Sequence, residues 1–113
     1  MPVVDPENIY SVSRLNREAR LILEERLPPM WVMGEISNFV QATSGHWYFS
    51  LKDAQAQVRC AMFRNRTTAV PVRPQNGLQV QIRAQVSLYE PRGEFQLIAD
   101  QMQPAGAGAL RLA

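Results

Sequence analysis

Tyr48, Lys52, Arg59 and Phe63 carry the most legible chemistry of this chain of 113 residues. They sit in two short runs, one from Ser44 to Asp53 and one from Val58 to Phe63. In the first, Trp47, Phe49 and Leu51 alternate with Tyr48, Ser50 and Lys52; in the second, Val58, Cys60 and Met62 alternate with Arg59, Ala61 and Phe63. Such alternation marks half-buried strands, whose successive side chains point to opposite faces. If the apolar set fills a core, a period of two places Tyr48, Lys52, Arg59 and Phe63 together outside. Two aromatic planes among two cations suit stacked bases and their phosphates.

Bond-breaking chemistry has far less support. Hydrolysis needs a metal cluster, a nucleophile with a base, or paired carboxylates. The chain has one histidine, His46, and one cysteine, Cys60, with no HxH, CxxC or DxD spacing. Cys60 alternates with the core and is expected to be inert, while Asp53 lies in a turn that it would cap itself. His46 follows Ser44-Gly45 beside the outer face, within reach of a phosphate, although a satisfied loop histidine is the simpler reading. The expectation is no catalytic residue, no metal and no cofactor.

Charge agrees with a polyanionic partner through its distribution. The net charge is only +2, but residues 41–92 hold seven basic side chains against two acidic ones, Asp53 and Glu90. Eleven of the twelve basic residues are arginine, which combines forked phosphate contacts with stacking. A G+C-rich genome would write the same bias. No apolar run reaches the roughly 20 residues of a membrane span, and the N-terminus lacks the parts of a secretory signal. A lone cysteine excludes an internal disulfide and suits a reducing cytoplasm.

These runs need a scaffold, and the rest of the chain supplies short elements. Residues 1–12 read as a leader and 13–28 as a helix packed on the domain. Ser13 is its expected cap, Leu15, Ala19, Ile22, Leu23 and Leu27 its buried stripe, and Pro28-Pro29 its end. Residues 30–39 read as a first strand with a bulge or bend at Gly34 and with Trp31 in the core. A polar loop, 40–46, precedes the two strands already described, which join through Asp53-Ala54-Gln55-Ala56. After an irregular stretch ending in a turn at Arg73–Gly77, Val80, Ile82, Ala84, Val86 and Leu88 mark a long fourth strand. Glu90-Pro91-Arg92-Gly93-Glu94 is a hairpin loop, and the last strand runs from Phe95 to about Met102.

The fold class expected is mainly β. Five short strands with an irregular third connection match the five-stranded Greek-key barrel of the OB-fold, here spanning 30–103 behind an N-terminal α-helix. That fold binds oligonucleotides on strands 2 and 3, aided by the loops between strands 1–2 and 4–5. The first loop offers His46. The second offers Tyr89 and Arg92, and Arg64 continues the basic track after Phe63.

The chain also resembles a known family. The matching residues are Tyr10-Ser11-Val12-Ser13-Arg14-Leu15-Asn16, Gly34-Glu35-Ile36-Ser37-Asn38-Phe39, Ser44 to Phe49 through Lys52-Asp53, and Gln57 to Arg64. Ser87-Leu88-Tyr89-Glu90-Pro91-Arg92-Gly93-Glu94 and Gln103-Pro104-Ala105-Gly106 complete the set. Together they resemble the N-terminal domain of the large subunit of bacterial exodeoxyribonuclease VII. The resemblance implies part of an enzyme that degrades single-stranded DNA from both ends to acid-soluble oligonucleotides, working with many copies of a small helical subunit. It also implies a nuclease centre in a further domain, so that 104–113 is a linker toward it and this chain is a non-catalytic DNA-binding part. An anticodon-type RNA-binding barrel and a purely structural role in subunit assembly are the competing readings.

Overall fold

Helix α1 (Val12–Arg26) begins where a serine hydroxyl meets its unpaired first-turn amides. The cap is Ser11 rather than the expected Ser13: Ser11 Oγ accepts from the Arg14 amide at 3.1 Å. At the other end the Leu27 amide still reaches the Leu23 carbonyl before Pro28-Pro29 stop the helix. The computed structural model describes residues 3–105, which also include a 3-10 turn at Pro6–Asn8. Of the expected linker, residues 106–113 lie outside the described part.

Five strands follow: β1 (Met30–Gln41), β2 (Trp47–Lys52), β3 (Gln57–Met62), β4 (Gln79–Tyr89) and β5 (Glu94–Pro104). They close into a barrel in the order β1-β2-β3-β5-β4, with β4 returning to β1. Only β3 and β5 run parallel; the other four pairings are antiparallel. This is the five-stranded barrel with an N-terminal helix that the sequence predicts. The irregular connection contains one short helix, α2 (Arg64–Thr67).

The core follows the alternation. Phe49, Ile36, Met62, Ile82 and Val80 are its largest fully buried side chains, with Trp47, Leu51 and Cys60 beside them. Val58 packs against this cluster from its edge. Phe39 stands edge-on to the Trp47 ring at 5.7 Å, adding an aromatic contact at one end of the barrel.

Three sequence expectations are corrected here. Trp31 is not core: it is 48% exposed. On β1 the positions sharing the parity of Ile36 point inward, which turns Trp31 outward opposite Arg83. Leu15 and Ile22 are also exposed, at 55% and 58%. The side of α1 turned to the barrel carries Leu23 and Leu27 together with Asn16, Arg20 and Glu24. Polar contacts to the barrel thus set the helix rotation and leave part of its apolar stripe outside. Third, the register shift of β1 lies between Ser37 and Val40, around Asn38 at φ 52°, and not at Gly34.

Gly34 has a different task. Near it β1 passes from pairing with β4 to pairing with β2, and the backbones approach closely. A Cβ there would lie 2.8 Å from Leu51 Cγ and 2.9 Å from the Lys52 carbonyl oxygen. Backbone cannot give way as a flexible side chain can. Gly34→Ala is therefore expected to cost about 1–3 kcal/mol of stability, the range for overpacking. A urea melt measures it, and an unchanged midpoint would show that β1 tolerates a methyl at this crossing.

Candidate nucleic-acid interface

The outer face of β2 and β3 is built in cross-strand rows. Tyr48 pairs with Ala61, Ser50 with Arg59, and Lys52 with Gln57. On the β1 side Val40 stands beside Tyr48, Ser37 beside Ser50, and Glu35 beside Lys52. Tyr48 is 37% exposed, and the small Ala61 opposite it leaves its ring a low neighbour. Arg59 Nη1 donates to Ser50 Oγ at 3.0 Å, so its guanidinium lies across the middle of the face. Ser50 is buried for that reason despite its outward parity. Lys52 meets Glu35 at 3.5 Å, with both side chains still well exposed.

One end of this face is organised by the loop between β1 and β2. His46 Nδ1 accepts from the Arg64 amide at 2.9 Å, and its ring stands edge-on to Phe63 at 5.4 Å. Thr67 Oγ1 donates to the Gly45 carbonyl at 3.3 Å, binding α2 to the same loop. Gly45, at φ 92°, leaves room for the Arg64 side chain, whose Cγ would lie 3.1 Å from any added Cβ. His46 thus uses one ring nitrogen to hold Phe63 and Arg64 in place, and Phe63 remains 42% exposed.

The other end lies toward the loop between β4 and β5. The parallel register Arg59–Gln96 carries the start of β5 to the start of β3, the end where Lys52 sits. Helix α1 holds this loop: Asn16 Nδ2 donates to the Glu90 carbonyl at 2.9 Å, and the Arg20 guanidinium grips the Glu90 carboxylate. Tyr89 is 46% exposed. The Arg92 side chain is 73% exposed and only grazes Glu94 at 3.9 Å. Among the described residues no hydrogen bond or ion pair joins Tyr89 or Arg92 to the β2–β3 face.

Of the eight residues singled out from the sequence, then, Tyr48, Lys52 and Arg59 share one sheet face. His46, Phe63 and Arg64 form a contiguous group at its first end, and Tyr89 and Arg92 stand apart on a helix-braced loop. Sequence reasoning missed Val40, 57% exposed next to Tyr48. Its place in a presumed polar loop hid it, since the bulge at Asn38 extends β1 beyond Phe39. It also missed Glu35 as the partner of Lys52, a pairing set only by strand register.

The remaining groups are structural. Asp53 Oδ1 accepts from the amides of Gln55 and Ala56, both at 2.8 Å, and these bonds hold its carboxyl below the usual aspartate range. Burial pushes the Cys60 thiol up to about 12, with nearby Arg59 opposing only in part. Among the described residues no three His, Cys, Asp or Glu side chains cluster as a metal site, and no helix is long and apolar enough to cross a membrane.

Comparison with known proteins gives this arrangement a context. A family described as an OB-fold nucleic acid binding domain matches residues 10–103. The exodeoxyribonuclease 7 large subunit of Cronobacter sakazakii is 57% identical over 111 residues, 98% of this chain and 24% of the relative. That of an Enterobacter species is 60% identical over 104 residues, 92% of this chain and 23% of the relative. The chain spans about a quarter of the length of the curated relatives it matches. Among solved structures, a replication protein A heterotrimer bound to ssDNA has a TM-score of 0.60 at 12% identity, over 76% of this chain and 64% of that one. At that identity the likeness shows the fold alone.

Two consequences of the local chemistry are measurable. A maleimide or iodoacetamide reagent at mildly alkaline pH should leave Cys60 unmodified in the folded protein and label it once urea exposes it. Rapid native labelling would show that the core opens readily. For Asp53, the depressed carboxyl makes its turn bonds stabilising above the ordinary aspartate pKa, and that support vanishes as acid protonates the folded carboxylate. An NMR titration should find its midpoint below the ordinary aspartate value. A midpoint above it would mean that the turn bonds do not form.

Proposed function

This chain belongs to the OB-fold nucleic acid binding domain family, and we propose that its β2–β3 face grips single-stranded DNA. One observation carries the reading: two exposed aromatics, Tyr48 and Phe63, stand together at one end of a strip of cations on the outside of a closed barrel. Aromatic planes accept any base, so the grip is tolerant of sequence. Arg59, Lys52 and Arg64 supply phosphate contacts along the strip, and Arg92 a further one from its loop. Duplex DNA keeps its bases stacked inside and offers the aromatics nothing to hold.

In this reading the chain is the substrate-gripping part of an exodeoxyribonuclease large subunit acting in the cytoplasm. The phosphodiester bond is broken elsewhere in the protein, and a small partner subunit attaches through regions outside this chain. The identity with two large subunits of that name supports the assignment.

A fluorescent oligothymidylate of about 20 nucleotides, titrated at low salt with duplex DNA and RNA as competitors, tests this. Binding should favour the DNA single strand and weaken steeply with salt. Tyr48→Ala should lower affinity by about 1–3 kcal/mol, and Arg59→Ala should flatten the log–log salt slope by roughly 0.7. Equal competition by RNA would favour an RNA-binding role. Absence of binding to any probe would shift the face to assembly.

A further inference from the structure

Trp31 is a large exposed aromatic that the β2–β3 face does not use. It projects from the outer side of β1, opposite Arg83 of β4. An open groove of about 430 Å3 extends from it along the second half of β5 to the connection after β3. Asn65 and Arg66 form one wall, and Asp100, Gln101 and Gln103 of β5 form the other. The groove exists because β3 stops at Met62. Past Ala99 the edge of β5 loses its strand neighbour and borders only the irregular connection.

These walls have the chemistry of a nucleobase site. An exposed indole offers the best stacking surface of any side chain, and the amides of Asn65, Gln101 and Gln103 both donate and accept, as base edges do. Asp100 adds a direction. Its Oδ2 takes a bond from Arg83 Nη1 at 2.7 Å, while its Oδ1 is buried without a hydrogen-bond partner among the described residues. The charge of this carboxylate at the groove wall disfavours a phosphate there. A nucleotide here would turn its base toward Asp100 and its phosphate toward Arg66. The groove volume lies within the roughly 300–1,000 Å3 of small-ligand sites, enough for one base and its sugar.

The two aromatic surfaces are connected. Phe63 and Arg64, at the start of α2, belong to the end of the β2–β3 face, and Asn65 and Arg66 in the next positions line the groove. We infer that the Trp31 groove is a second base-binding subsite, filled by one nucleobase of a single strand that has passed from Tyr48 and Phe63 over α2. This rests on the single-strand reading of the β2–β3 face. It makes the footprint longer than that face alone requires.

Oligothymidylates of about 6 and about 18 nucleotides separate the two claims, because OB-folds cover roughly 4–16 nucleotides. The full chain is titrated with each by fluorescence anisotropy. Trp31→Ala should weaken the longer strand about tenfold and the shorter less than twofold, whereas Tyr48→Ala should weaken both. Arg66→Ala should flatten the salt slope for the longer strand only. The chain has two tryptophans and Trp47 is buried, so quenching by the longer strand reports Trp31 directly. Unchanged affinity for the longer strand in a folded Trp31→Ala variant, or equal loss at both lengths, overturns the subsite. If Tyr48→Ala still weakens both strands in that case, the single-strand reading stands alone. If the unaltered chain binds neither strand, that reading fails and the subsite with it.

Discussion

The parallel pairing of β3 with β5 is the contact on which the rest of this structure depends. It joins residues almost forty positions apart in sequence, from Arg59 beside Gln96 to Met62 beside Ala99, and it closes an open sheet of order β3-β2-β1-β4-β5 into a barrel. Closure commits one side of every strand to the interior, so Cys60, Met62, Leu97 and Ala99 meet in one core. It also fixes the outside. The same register sends the β4–β5 loop to the Lys52 end of the β2–β3 face and leaves the β1–β2 loop at the Tyr48 end. Because β3 is shorter than β5, closure is incomplete past Ala99, and the Trp31 groove opens there.

Helix α1 acts as a brace more than as a core element. None of its residues is fully buried, and only Leu23 and Leu27 reach the barrel core. Its polar side does the fastening: Asn16 and Arg20 hold Glu90, and Glu24 accepts from Ser87 Oγ at 2.8 Å. Arg20 is shared between Glu90 and Glu24, which couples loop, helix and sheet. A braced loop loses less freedom when a ligand meets Tyr89 or Arg92, and lower ordering cost is the general route to tighter binding.

The cations are held loosely. Lys52 with Glu35 and Arg92 with Glu94 are exposed pairs at 3.5 and 3.9 Å, a class that contributes about 0–1 kcal/mol. Arg59 rests on a neutral hydroxyl. A phosphate can displace such partners at little cost, whereas the two bonds that tie the β1–β2 loop to α2, from the Arg64 amide to His46 and from Thr67 to the Gly45 carbonyl, involve no cationic side chain. Rigid backbone with exchangeable side-chain partners leaves these cations free to meet a polyanion.

The sequence by itself determined the barrel class, the inward set Trp47, Phe49, Leu51, Val58, Cys60 and Met62, and the outward Tyr48, Lys52 and Arg59. Strand periodicity is local, and two neighbouring strands joined by a four-residue turn leave little choice of register. It also named Arg92 as a loop residue through the Glu90–Glu94 turn chemistry, whereas Tyr89, expected to serve that loop, is the last residue of β4. Helix rotation and the identity of outlying neighbours were decided only in three dimensions. Leu15 and Ile22 read as buried because their spacing is right, yet Asn16, Arg20 and Glu24 found barrel partners more than sixty residues away. Trp31 read as core because large aromatics usually are, and its direction depends on the parity that Ile36 and Val80 impose across β1 and β4. The pairing of Lys52 with Glu35, the bond from Arg64 to His46 and the groove beside β5 all arise from contacts between distant segments. Hydrophobic period records which side of an element is apolar, but only closure of the chain on itself decides what each side meets.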